Sequence, residues 1–125
     1  MDQNELKNRT KEFALRTMKL VRVLPKDIPG KVLANQLMRS ATSVAANYRA
    51  ACRARSKAEF VAKIGTVLEE ADETELWIDL IVSDGMLPRR RCDRLLTEAG
   101  ELISIFAATR ISALGQRRKN LKSEI

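Results

Sequence analysis

Apolar and small residues recur at helical spacing through most of the chain. Leu6, Thr10, Phe13, Ala14, Thr17, Leu20, Val21 and Leu24 form a 3.6-residue stripe that predicts a helix over residues 3–24. Pro25, Pro29 and Gly30 then punctuate the chain as a loop. A second stripe, Leu33, Leu37, Ser40, Ala41, Val44, Tyr48 and Ala51, predicts a helix over 30–52. Ser56-Lys57-Ala58-Glu59 reads as a capping box, in which the hydroxyl and the carboxylate each satisfy an orphan backbone N–H. It opens a third helix over 56–83, stopped by Ser83-Asp84-Gly85. Pro88 suits the first turn of a fourth helix over 88–115, carried by Leu95, Ala99, Leu102, Phe106 and Ala113 and followed by a basic tail, 116–125. Short connections make neighbouring helices antiparallel. The pattern therefore predicts one all-α domain, an up-down-up-down four-helix bundle.

The third helix is apolar on two sides. Val61, Ile64, Leu68, Ala71, Ile78 and Val82 form one stripe, and Phe60, Val67, Leu76, Trp77 and Ile81 form another. A helix in a monomeric bundle is expected to need one buried stripe, so the second predicts a subunit interface. Glu69, Glu70, Glu73 and Trp77 are its candidate residues.

Composition supports a helical core. The 125 residues are 45% hydrophobic but only 4% aromatic, and glycine and proline are too scarce for the turns of an all-β fold. The absence of histidine removes most acid–base triads, histidine-ligated zinc and the di-iron pattern of ferritin-like bundles. No cofactor or metal is expected. Cys52 and Cys92 read as small packed side chains and not as a disulfide framework. The opening MDQNELKNRTKEF is polar, and the apolar run Leu76–Val82 is broken by Asp79 and too short to span a bilayer. The expected location is cytoplasmic.

Charge is partitioned along the chain behind a net +7. Residues 26–57 hold seven cations against Asp27, and residues 59–84 hold eight acids against Lys63. Such segments can pair within the chain or head-to-tail between copies, where complementary charge sets register more than affinity. Uncompensated cations can instead contact phosphates. The candidates are Arg49, Arg53, Arg55 and Lys57 before the third helix, Arg89, Arg90 and Arg91 opening the fourth, and Arg117, Arg118 and Lys119 in the tail. Three cations at a helix start oppose the macrodipole, which hints at a bound anion. Tyr48 and Trp77 fit core packing better than base stacking.

One pattern suggests catalysis. Glu69-Glu70-x-x-Glu73 fits the spacing by which all-α nucleoside triphosphate pyrophosphohydrolases hold Mg²⁺. Glu98 and Glu101 come close to the second half of that pattern, which ends in Asp where this chain has Glu101. It requires the three carboxylates of one helix and the two of the next to face each other.

The segments Gln36-Leu37, Arg39-Ser40-Ala41, Ser43-Val44-Ala45-Ala46-Asn47 and Ser56-Lys57-Ala58-Glu59-Phe60 resemble the four-helix-bundle family of the 23S ribosomal RNA intervening-sequence proteins. Accessory proteins of diversity-generating retroelements look like members of the same family. The resemblance implies a homopentamer of basic character, a nucleic-acid partner, a reverse transcriptase as a protein partner in the retroelement branch, and no catalytic residues. Where the family often continues the asparagine with an apolar residue, Ala, Glu and Gly, this chain has Tyr48, Arg49, Ala50 and Ala51, which makes that end more basic. The resulting expectation is a non-enzymatic oligomer that binds RNA or DNA. The alternatives are an adaptor that binds only protein, and the Mg²⁺-dependent hydrolase.

Overall fold

A computed structural model describes residues 1–124, and the side chains of residues 1–115. Four helices account for it: α1 (Gln3–Arg22), α2 (Ile28–Cys52), α3 (Lys57–Asp84) and α4 (Arg89–Glu124). The chain is all-α, as the periodicity predicts. Helix α1 packs on α2, α2 on α3 and α3 on α4, while α1 meets α4 only sparsely. No close approach crosses the diagonals α1/α3 or α2/α4 among the described residues. The helices therefore stand at the corners of a square in chain order, with one loosely closed side.

Side-chain caps set the helix starts. Asp2 accepts from the Glu5 N–H at 2.8 Å, Asp27 from the Gly30 N–H at 2.9 Å and Ser56 from the Glu59 N–H at 3.0 Å. The capping box forms with one change: Glu59 reaches back to the Arg55 N–H, one residue before the cap. Helix α3 stops in a Schellman motif at Gly85 (φ 83°), where the Met86 N–H bonds the Ile81 carbonyl and the Gly85 N–H bonds the Val82 carbonyl.

Three boundaries differ by two residues or more from the sequence expectation, and both ends of α3 and the start of α4 by one. Helix α1 ends at Arg22, and the Val23 and Leu24 N–H groups close tighter turns onto Leu20 and Val21. Leu24 is still buried, which extended the apparent stripe. Helix α2 begins two residues early, because Asp27 caps it and Pro29 sits in its first turn, where a missing N–H costs nothing. Helix α4 runs through Gly115, and Gly85 is the only glycine with positive φ among the described residues. A helical glycine costs about 1 kcal/mol relative to alanine, so it weakens a helix without ending it.

The core is aliphatic around Phe13, Phe106, Leu37, Ile64, Ile78, Ile81 and Leu102. Tyr48 packs there with its ring 5.3 Å from that of Phe106. Cys92 is buried, which pushes its thiol up, and Cys52 is half-buried; neither is disulfide-bonded. Most of the second stripe of α3 also turns inward. Val67 and Ile81 are fully buried, because a corner helix faces neighbours on two sides. Leu76, at 49% exposure, stays outside and is joined there by Leu80.

Candidate nucleic-acid interface

The basic candidates divide between the two ends of the bundle. Helix α3 spans the distance between them, roughly 42 Å for 28 residues at 1.5 Å each. At the α2–α3 turn, Arg53 caps α2 and stands exposed with Arg55 and Lys57. Arg49 lies a turn earlier and lines a groove between α1 and α2 with Lys7 and Lys11. The structure thus keeps three of these four cations on the turn and sends the fourth to a lateral face. The candidates Arg117, Arg118 and Lys119 lie outside the described side chains.

At the opposite end, the run Arg89–Arg91 opens α4 directly after Pro88. Arg89 makes a marginal ion pair with Asp93, at 3.9 Å. Arg91 turns toward α1 and forms a cleft of about 270 Å³ with Arg16, Lys19 and Arg94, floored by Leu20, Val23 and Leu95. No carboxylate lines this cleft. None of its four cations is within ion-pair distance of an acid among the described residues. The arrangement suits phosphate groups, most directly at Lys19 and Arg91, with the α4 N-terminal dipole adding to them. Arg16 and Arg94 also border a neighbouring cleft with Asp93, Glu98 and Glu101, where Arg16 helps to hold the Glu98 carboxyl low. Arg16, Lys19 and Arg94 were not legible as part of a site. Arg16 and Lys19 are one helical turn apart near a helix C-terminus, where cations ordinarily only complement the dipole.

The acids of α3 and α4 are held apart. Arg39 on α2 bonds Glu70 and Glu73, each at 3.1 Å, so the pairing within the chain applies to these two residues. Arg39 holds the Glu73 carboxyl below its ordinary range, whereas burial pushes the Glu70 carboxyl up despite the same arginine. Glu98 and Glu101 instead receive Arg9 from α1, at 2.6 and 3.0 Å. The hydrogen bond from Arg9 lowers the Glu98 carboxyl. One pair thus faces α2 and the other faces α1, on different sides of the square. The facing arrangement that the Mg²⁺-hydrolase pattern requires is absent, and no three carboxylates converge as a metal site among the described residues. Trp77 is half-buried, and its buried Nε1–H has no partner. Glu69 is exposed on the outer side of α3.

Two lateral surfaces remain. The α1/α2 groove has a volume of about 540 Å³ and a floor of Ala14, Leu15, Ala45 and Ala46. Half of the small-residue segment on α2 therefore faces outward, while Ser40, Ala41 and Val44 pack inward. Between α3 and α4, Asp72, Glu75, Leu76 and Asp79 line a second groove with Leu96. No helix among the described residues is long and apolar enough to cross a membrane.

The family model for 23S rRNA-intervening sequence proteins matches residues 2–108. Among solved structures, the chain is similar to a protein of unknown function from the S23 ribosomal protein family of Bacteroides thetaiotaomicron. The two share 30% identity with a TM-score of 0.78, over 84% of this chain and 97% of that one. No protein of curated function matches the chain.

Proposed function

The chain belongs to the 23S rRNA-intervening sequence protein family, and from that membership we propose that it is a non-enzymatic, homo-oligomeric bundle that binds nucleic acid through its basic ends. The observation that carries this reading is the acid-free cleft of Arg16, Lys19, Arg91 and Arg94. Four unpaired cations over an apolar floor grip a phosphate backbone without reading bases. The turn carrying Arg53, Arg55 and Lys57 offers a second contact at the far end. An assembly would repeat both ends around its axis and multiply weak phosphate contacts. The family resemblance supplies the number five for that assembly, and a reverse transcriptase as a protein partner.

Fluorescence anisotropy with labelled RNA and DNA, titrated with salt, tests the reading. Affinity should fall steeply with salt, and Arg91→Ala with Arg94→Ala should lower the log–log slope by about one unit for each phosphate no longer neutralised. Arg53→Ala with Arg55→Ala reports the other end in the same way. Absent binding at low salt, or binding indifferent to salt, overturns the proposal. A pull-down that keeps its partners after nuclease treatment favours the protein adaptor instead.

A further inference from the structure

The α1/α2 groove and the outer ridge of α3, which forms one wall of the α3/α4 groove, both carry apolar surface and are opposite in charge. The groove has a floor of Leu15, Ala45 and Ala46 and a rim of Lys7, Lys11 and Arg49, with no acid lining it. The ridge presents Leu76 and Leu80, 49% and 40% exposed, flanked by Asp72 and Asp79. Small residues let a foreign helix approach the groove floor closely, and an exposed leucine pair supplies the side chains to fill it. The carboxylates beside those leucines would then meet the cations on the rim.

A protomer cannot mate these surfaces with each other. Among the described residues the backbones of α1 and α3, and of α2 and α4, make no close approach, so the groove and the ridge lie on different sides of the square. We propose that the α1/α2 groove of one copy receives the α3 ridge of a second copy, head-to-tail, through the Leu76–Leu80 pair and the Asp72 and Asp79 carboxylates. This rests on the homo-oligomeric part of the reading above and assigns the surfaces that build it. It also places the contact on Asp72 and Asp79, because Arg39 already holds Glu70 and Glu73. A heterologous contact leaves a free groove at one end of the growing chain and a free ridge at the other, so copies add until the rotation between them closes a ring. Charge complementarity favours this pairing over groove-to-groove contact, which would bring Lys7, Lys11 and Arg49 against their own copies.

Light scattering on four full-length chains tests the pairing, with circular dichroism to follow helix content. The wild type should have a mass several times 14.1 kDa. Lys11→Glu with Arg49→Glu should fall to a single chain, as should Asp72→Lys with Asp79→Lys. The chain carrying all four reversals should regain the wild-type mass, because the swapped charges again attract. All four positions are exposed, so the fold should survive each change. Leu76→Glu, a single exposed substitution, provides the same reading if a paired variant fails to fold. A monomeric wild type overturns this proposal together with the oligomeric reading. A multimer that ignores both one-sided reversals, or a folded four-fold variant that stays monomeric, overturns the surface assignment alone.

Discussion

The α2–α3 seam and the α1–α4 seam are each crossed by an arginine that holds two carboxylates: Arg39 with Glu70 and Glu73 in one, Arg9 with Glu98 and Glu101 in the other. What lies beneath the arginines differs. Under Arg39 the helices are closely packed, and Ser40 and Thr74 share a hydroxyl–hydroxyl hydrogen bond of 2.8 Å in full burial. Around Arg9 the helices stand apart, and clefts rimmed by charged side chains open along the seam, one of them lined by Arg9 itself. The tight seam thus holds the fold together, and the loose one leaves charged groups accessible to a ligand. Identical ion-pair chemistry does opposite jobs, decided by the packing beneath it.

The largest expected effect lies in the tight seam. Ser40→Leu adds bulk where no space exists and removes the hydroxyl partner of Thr74, and overpacking of this kind costs about 3 kcal/mol. Urea unfolding at fixed protein concentration should show a clearly lower midpoint with an unchanged slope. A midpoint equal to the wild type would mean that the seam has slack, and the contrast between the two seams would fail.

Local chemistry made the helices legible and long-range pairing hid the rest. The stripe on α1 and the cap at Ser56 involve residues a few positions apart, so their spacing carries the information. The start of α2 was legible in principle from Asp27 and Pro29, but the proline and Gly30 read as a loop. Gly30 is confined by the turn it closes: a Cβ there would lie 2.0 Å from the Pro25 carbonyl oxygen, five residues earlier. The pairing of Arg9 with Glu98 joins residues 89 positions apart, and no local pattern distinguishes Arg9 from any other exposed cation. The cleft shares this difficulty. The Arg89–Arg91 run signalled an anion site, yet Arg16 and Lys19 joined it only through the packing of α1 against α4. The wide apolar surface of α3 was visible, but its division into core and exposed ridge depended on which neighbours flank it.

A smaller effect is expected at the loose seam. Glu98→Gln removes the charge that Arg9 grips, in a site where Glu98 is 13% exposed and Arg9 25%. A partly buried pair of this geometry contributes on the order of 1 kcal/mol. The carboxyl is lowered from its ordinary 4.5, so its contribution is complete above that value and is lost as pH falls through the depressed one. The stability gap between wild type and Glu98→Gln should be present at neutral pH and close as pH falls below the ordinary carboxylate range. A gap that persists in acid would mean that the neutral hydrogen bonds hold the seam, and not the charge.

The smallest effect sharpens the comparison most. Arg39→Ala removes the same kind of fork from a seam already closed beneath it, and Arg39 is half-exposed where water screens its charge. Its melting temperature should fall less than that of Arg9→Ala. The direction of the pH dependence should be the same, although the two carboxyls on Arg39 are displaced in opposite directions. The hydrogen bond from Arg39 lowers Glu73, so that contribution is lost as pH falls below the ordinary range. Glu70 is raised by burial, yet Arg39 still pulls it down from where burial alone would leave it. Burial of Glu70 acts in the wild type and in Arg39→Ala alike, so the gap between them reads only the lowering by Arg39, which has one sign at both carboxyls. Thermal melts between neutral and acid pH should therefore show a gap that closes for both arginine variants, from a smaller starting value for Arg39→Ala. A gap that persists in acid for Arg39→Ala would mean that its side-chain packing supports the tight seam, and not its charge.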